Sequence, residues 1–334
     1  MLIIDGSSYS GSGTIVRQAV AFSALTGIPI HLVHARANRS KPGLRRQHIR
    51  VIEAIRELVN GKAQGVCEGS QEIHFEPGPS GKQEAYRWDI GSAGSTTMLA
   101  LGVLPVLAFK STPTVVEIHG GLFQDFAPSV FHLQHVILPL LNKMGLKTTL
   151  TMERPGYVPT GKGSLSLQVQ PVRKALQPLR LESQGPVQRI WGIALASHLA
   201  ERRVSHRMAD TVTQQWAEPD LSLILRERKT PRHNRPGRHW WLSPTVQGRC
   251  GWVLIVPGHP GDDQKRLGTT WRNTCCPISA PAPRSIALPR IKLFPLRLWQ
   301  KEKADSSFLR SRIMSKRVRG LPICFWERKS ILRI

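Results

Sequence analysis

Tyr86-Arg87-Trp88-Asp89-Ile90-Gly91-Ser92-Ala93-Gly94-Ser95 reads as a strand that runs into a turn of small residues. An apolar helix from about Thr97 to Phe109 follows, then a strand, Val115 to Ile118, that stops at Gly120-Gly121. The same order occurs earlier in the chain. Leu2 to Ile4 is a short strand leading into Asp5-Gly6-Ser7-Ser8-Tyr9-Ser10-Gly11-Ser12-Gly13. Ile15, Val16, Ala19, Val20 and Phe22 form a helical stripe stopped by Gly27 and Pro29, and Ile30 to Val33 is the next strand. Each passage then continues alike. In the first, Leu44, Ile49, Ile52, Ile55 and Val59 mark a helix ending near Asn60-Gly61, and Gln71 to Phe75 a strand closed by Pro77-Gly78-Pro79. In the second, a helix spans roughly Ser129 to Met144, and strands follow at Lys147–Met152 and Ser164–Val169. A supersecondary unit that occurs twice is a stronger fold signal than any one element. The expected class is α/β (α+β), with repeated βαβαββ-type units over residues 1–80 and 81–175 and helices on one face of mixed sheets.

Between the first strand pair and its second helix lies Arg36-Ala37-Asn38-Arg39-Ser40-Lys41-Pro42-Gly43-Leu44-Arg45-Arg46-Gln47-His48. Cations on a loop and on the first turn of a helix oppose the helix dipole, which favours anions there. They make sense if they hold a bound anion, toward which free backbone N–H groups also point. Forked guanidinium groups beside a lysine suit a phosphate-rich ligand. A solvated charge run is the alternative reading.

The whole chain, 334 residues with net charge +25 and pI near 11.0, suggests roughly two domains and a polyanionic partner, RNA or DNA before membrane. No apolar run approaches the ~20 residues of a membrane span. The N-terminus lacks the pattern of a signal peptide. Five cysteines (Cys67, Cys250, Cys275, Cys276, Cys324) without a CxxC pair signal neither a disulfide framework nor zinc. A cytoplasmic protein is expected. His31/His34 and His132/His135 have i,i+3 spacing, but a strand sends the first pair to opposite faces, and the second reads as surface polar.

Residues 1–215 carry 23 Lys and Arg against 14 Asp and Glu, whereas residues 216–334 carry 24 against 8. Seven of the nine Trp also fall in that second part. Leu179–Leu181 and Ile190–Ala194 read as strands and His198 to Ala209 as a polar helix. Beyond Gln215 no period holds. High Arg, Trp, Cys and Pro without pattern is what a coding region read out of frame produces, and a divergent domain is the alternative.

The basic run, the Asp5–Arg17 opening, Ile90-Gly91-Ser92-Ala93-Gly94-Ser95, the Gly120-Gly121 and Ala127-Pro128 pairs, and Gly156-Tyr157-Val158-Pro159 together resemble the RNA 3′-terminal phosphate cyclases. Ser197-His198-Leu199-Ala200-Glu201-Arg202 resembles that family's next segment, so the resemblance covers about residues 1–215. It implies a smaller inserted domain, begun here by residues 176–215, and leaves 216–334 as a basic tail of unclear fold. It implies ATP and a divalent metal, Mg or Mn, as cofactors and RNA 3′ ends as partners. In that chemistry AMP passes from an active-site histidine to an RNA 3′-phosphate, and the neighbouring 2′-hydroxyl then closes a 2′,3′-cyclic phosphate. The resemblance implies that Arg17, Arg39, Arg46 and Gln47, with Lys41 and His48 from the same run, bind phosphate or RNA. Gly6, Gly11, Gly13, Gly91, Ser92 and Gly94 supply turns whose backbone approaches the ligand. Arg17 as a surface charge and His48 as a satisfied helix histidine are the structural alternatives.

The chain also departs from the family pattern. Ser10, Gly11-Ser12-Gly13 and Thr14 stand where an acidic residue, a glycine run and a glutamine are usual, which removes a carboxylate able to help hold a metal. Leu101 replaces a glutamine associated with the nucleotide, and Leu122, Phe123, Gln124 and Phe131 replace acidic and Thr or Asn positions. Lys162 breaks a glycine cluster. The nucleophilic histidine segment has no match after residue 215. His233, His239 and His259 lack its context, so the catalytic histidine is unassigned. The expectation is a cyclase homologue with little or no activity. A non-catalytic RNA-binding relative and a degenerate frameshifted product are the alternatives.

Overall fold

A computed structural model describes residues 1–124, 127–181, 187–197, 203–215, 223–230, 237–246, 249–250 and 257–258. The first unit runs β1 (Leu2–Asp5), α1 (Gly13–Thr26), β2 (Ile30–Val33), α2 (Arg46–Leu58), β3 (Lys62–Gln64) and β4 (Ile73–Glu76). Its sheet has the order β1-β2-β4-β3, with β1 parallel to β2 and the other two contacts antiparallel. Ile30, Leu32, Ile73 and Phe75 alternate onto the buried face, where α1 and α2 supply Val16, Val20, Ile52 and Ile55. Each such side chain contributes roughly 1.5–3 kcal/mol by leaving water. Ser12 caps α1 by accepting from the Thr14 N–H.

The second unit repeats this plan as β5 (Ala85–Asp89), α3 (Thr96–Ala108), β6 (Thr114–Gly120), a broken helix, β7 (Thr148–Arg154) and β8 (Gly163–Val169). Its order, β5-β6-β8-β7, and the directions of its pairs match those of the first sheet. The expected βαβαββ duplication is therefore present, with helices on one face of each mixed sheet. The helix expected over Ser129–Met144 differs in detail. It comprises α4 (Val130–His132), a π-helical turn (Leu133–Ile137) and α5 (Leu138–Lys143), with Pro139 at the start of α5. Proline has no N–H to give the preceding turn, which accounts for a break there.

α1, α2 and α3 pack on one another, so the two units share one apolar core. Trp88 on β5 donates its indole N–H to Glu57 on α2 at 2.8 Å. A third sheet contains β9 (Val187–Ser197), β10 (Leu223–Thr230), β11 (Gly237–Val246), β12 (Arg249–Cys250) and β13 (Pro257–Gly258), with α6 (Val204–Gln215) between β9 and β10. Ile193 and Leu195 join the common core, and Tyr157 Oη lies 3.0 Å from Ser197 Oγ. Two sequence expectations need correcting. Leu179–Leu181 forms no strand, and of the helix expected at His198–Ala209 the described part is Val204–Gln215. Residues 198–202, His233, His259, Cys275, Cys276 and Cys324 lie outside the described residues. Strands β10 and β11 occur in sequence where no period was legible, because their pairing with β9 defines them rather than an alternating pattern.

Candidate phosphate-binding site

The N-terminal ends of α1, α2 and α3 meet. Gly13, the first residue of α1, lies against the His48 ring on α2, and a Cβ there would come 2.5 Å from His48 Cδ2. Gln47 on α2 accepts from the Ser95 N–H, the cap of α3, at 3.4 Å. Gly102 on α3 closes the triangle beside the Arg17 stem. None of the three helices has an acidic residue in its first turn. Their partial positive ends are therefore left to attract an anion from elsewhere.

The cations gather at this junction. Arg17 is 8 % exposed, and its Nη2 donates to Thr14 Oγ1 at 3.2 Å. Burial, and then the Arg36 guanidinium, push its pKa down to about 10. Arg36 sits at φ 56, a left-handed conformation uncommon for a side chain of its size. There it donates to the Lys41 carbonyl at 3.0 Å and to the Gly43 carbonyl, which closes the basic loop. Burial, and then Arg45 and Arg39, lower its pKa as well. Among the described residues no carboxylate lies within ion-pair distance of Arg17, Arg36 or Arg39; Glu68 instead pairs with Arg45 at 3.2 Å and reaches Arg46 at 4.0 Å.

Arg46 bridges the two units, donating from Nη1 to the Gly91 carbonyl at 3.1 Å. Gly91 has φ 71, which a residue with a side chain would adopt only under strain. Its N–H donates to Asp89 Oδ1 at 2.7 Å, and Ser92 Oγ accepts from the Gly94 N–H at 3.2 Å. Gly161 packs onto Ser92 and Ala93 from behind. In the first unit, Gly6 lies close against Val33, His34 and Ala35, and Gly11 against Asn38, whose Nδ2 donates to the Ser7 carbonyl at 2.9 Å. The Lys41 side chain is exposed on the loop.

His48 is 3 % exposed, with Nδ1 accepting from the Arg45 N–H at 3.1 Å. Burial, and then Arg17 and Arg36, push it down to about 3, so the ring is neutral. Nδ1 thus completes the α2 cap, and Nε2 faces Gly13. Sequence reading placed Arg36 and Arg45 in the basic run without giving either a role. The left-handed turn that aims Arg36 inward has no local signature in an arginine. Three of the positions that depart from the family pattern, Leu122, Phe123 and Phe131, are apolar in place as well as in kind. Leu122 and Phe131 are buried, and Phe123 stacks on Tyr157 with ring centroids 5.4 Å apart.

These residues fit the phosphates of a nucleotide or of an RNA end. They do not assemble a protein-held site for magnesium or manganese. Asp5 Oδ1 is taken by the Ser7 N–H and hydroxyl at 2.9 and 2.7 Å, Asp89 by Gly91, and Glu68 by arginines.

Comparison with known proteins gives the same direction. The sequence profile of the RNA 3′-terminal phosphate cyclases matches residues 8–280, well past the Gln215 at which recognisable motifs stop. An RNA 3′-terminal phosphate cyclase of Staphylothermus marinus is 36% identical over 245 residues, 72% of this chain and 66% of that protein. Another, from Caldivirga maquilingensis, is 34% identical over 274 residues, 80% of this chain and 77% of that protein. A third, from Salmonella agona, is 38% identical over 209 residues, 61% of this chain and 60% of that protein. The chain therefore spans about three fifths to three quarters of the length of these relatives. With a duplicated βαβαββ scaffold, an uncompensated cation cluster between its halves and a profile match over most of its length, the chain belongs to the RNA 3′-terminal phosphate cyclase family.

Proposed function

We propose that this chain grips the phosphorylated 3′ end of an RNA at the α1–α2–α3 junction, on the scaffold of an ATP-dependent RNA 3′-phosphate cyclase. The observation that carries the reading is Arg17, a buried guanidinium that faces another cation and has no carboxylate beside it. Burying an unpaired charge is costly, and a bound phosphate removes that cost. Arg17 forms the floor of the site, Arg39, Lys41 and Arg46 its exposed side, and the turn from Gly91 to Gly94 offers backbone. Gln47 and His48 hold the helix ends in place. ATP, when bound, supplies activation that a phosphate monoester lacks by itself. The residues of this chain orient the phosphates and neutralise their charge. The sequence offers no histidine in the family's nucleophilic context, so turnover is expected to be low or absent. RNA end processing in the cytoplasm is the cellular setting proposed; no helix among the described residues is long and apolar enough to cross a membrane.

The test is fluorescence anisotropy with one oligoribonucleotide carrying either a 3′-phosphate or a 3′-hydroxyl. The phosphorylated end should bind more tightly. Replacing Arg39 and Arg46 with alanine should remove most of that preference, about tenfold or more, since each charged hydrogen bond contributes roughly 1.5–3 kcal/mol. Equal affinity for the two ends in the unaltered chain would defeat the proposal. Radiolabelled ATP gives a separate check on turnover, where an acid-labile protein–AMP adduct would show that the chain keeps its nucleophile.

A further inference from the structure

On the opposite face of the first sheet, away from the phosphate site, three metal-ligating side chains converge. His31 on β2 and His74 on β4 are direct cross-strand partners, and their rings stack with centroids 3.9 Å apart and planes 15° from parallel. Glu72 precedes His74 by two residues, so it shares that face. Its Oε1 lies 2.5 Å from His31 Nε2 and 3.7 Å from His74 Nε2. The three ligand atoms all lie within 4.8 Å of one another. Neighbouring positions Ile30, Leu32, Ile73 and Phe75 turn the other way into the core, so the pleat fixes both histidines outward.

We propose that His31, His74 and Glu72 form a binding site for a divalent transition metal of the zinc class. Two imidazoles and a carboxylate suit such ions better than magnesium or calcium, which take oxygen ligands. At metal–ligand distances near 2.1 Å, tetrahedral ligands sit about 3.4 Å apart. The present spacings bracket that value, and Glu72, more than half exposed, can rotate to meet it. A metal ion would take one nitrogen from each stacked ring together with the carboxylate that lies against His31. Three protein ligands leave the solvent side open for water. The ion would tie β2 to β4, and β2 leads directly into the loop that carries Arg36 and Arg39, so the site has a structural part to play beneath the phosphate cradle.

The test uses the untagged 334-residue chain stripped of metal with a chelator. Zinc is titrated in competition with a chromophoric chelator, and cobalt is followed by its visible absorption. One equivalent should bind, with cobalt bands of nitrogen and oxygen coordination and no thiolate charge-transfer band. H31A and H74A should each weaken binding by more than the roughly 10- to 100-fold typical of losing an outer-shell partner. E72Q should weaken it to a smaller extent, and R39A should leave it unchanged. Both histidines lie on the sheet face away from the core, so circular dichroism should show the variants folded. Absence of saturable binding, binding that survives loss of both histidines, or a thiolate band that marks cysteine ligation would each overturn the proposal.

Discussion

Replacing Gly13 with alanine sets two physical effects of opposite sign against each other. In a helix, glycine to alanine ordinarily stabilises by about 0.5–1 kcal/mol, because the unfolded chain loses freedom. Here the added methyl would fall against the edge of the His48 ring, 2.5 Å from Cδ2 and nearer still to Nε2. The ring is planar, 3 % exposed and held through Nδ1 by the Arg45 N–H, so it cannot step aside within its own rotamer. If α1 shifts instead, the cost is that of overpacking a core, typically about 1–3 kcal/mol. If the ring swings out, α2 loses a cap contact of about 1 kcal/mol and exposes a buried edge. Either way the clash outweighs the propensity gain, and a net loss of about 1–3 kcal/mol is expected.

The assay is urea unfolding followed by circular dichroism, comparing midpoints at equal slope. G13A should lower the midpoint. In an H48A background the same change should become neutral or stabilising, because the obstructing ring is gone. The resulting coupling of about 2 kcal/mol is characteristic of residues in contact. An alanine at position 13 that stabilises the unaltered His48 chain would refute the packing argument and with it the close approach of α1 and α2.

Two further outcomes follow from buried ionisable groups. His48 titrates near 3 when folded and near 6.5 when unfolded, so the unfolded chain binds the extra proton between those values. Its stabilising contribution is complete above pH 6.5 and falls with decreasing pH at up to about 1.4 kcal/mol per unit. Between pH 6.5 and 4.5 about 2–3 kcal/mol should be lost, and H48Q should flatten that part of a stability profile. Lys110 is 3 % exposed and donates to the Gly81 and Gln83 carbonyls at 2.9 Å and to Tyr86 Oη at 3.0 Å. K110M keeps the apolar stem but strands both carbonyls, so a loss of about 2 kcal/mol is expected in the same unfolding assay.

The duplicated strand–turn–helix was legible because each unit is amphipathic at its own period. Ile30 and Leu32 alternate, and Ile52 and Ile55 recur at helical spacing. What sequence could not give is what lies across from what. Nothing local to Gln47 says that it meets Ser95, 48 positions away, or that Arg46 reaches the Gly91 carbonyl. The π-helical turn was invisible for the opposite reason, since a one-residue widening barely disturbs an apolar stripe. Glu72 and His74 share a face by simple alternation, yet His31 joins them only through strand pairing. That register depends on where the β2–β4 connection closes, and the sequence of either strand leaves it open.

The position of the candidate site follows from topology more than from any single residue. A parallel βαβ step places the strand-to-helix turn at the carboxyl end of its first strand, where ligands of such sheets commonly bind. Two such steps occur here, through Gly6–Ser12 and Gly91–Ser95, and α2 begins at the same edge. Packing α2 between α1 and α3 brings three helix ends together, and their dipoles add. An ordinary protein would neutralise that junction with Asp or Glu in the first turns. This chain places Arg17, Arg36 and Arg39 there instead, and the carboxylate of Glu68 pairs with Arg45 and Arg46. Helix dipoles and guanidinium groups thus repel one another, and the cation lowest in the cluster is the most buried. An arrangement so unfavourable to the unliganded fold is intelligible when a multiply charged anion completes it.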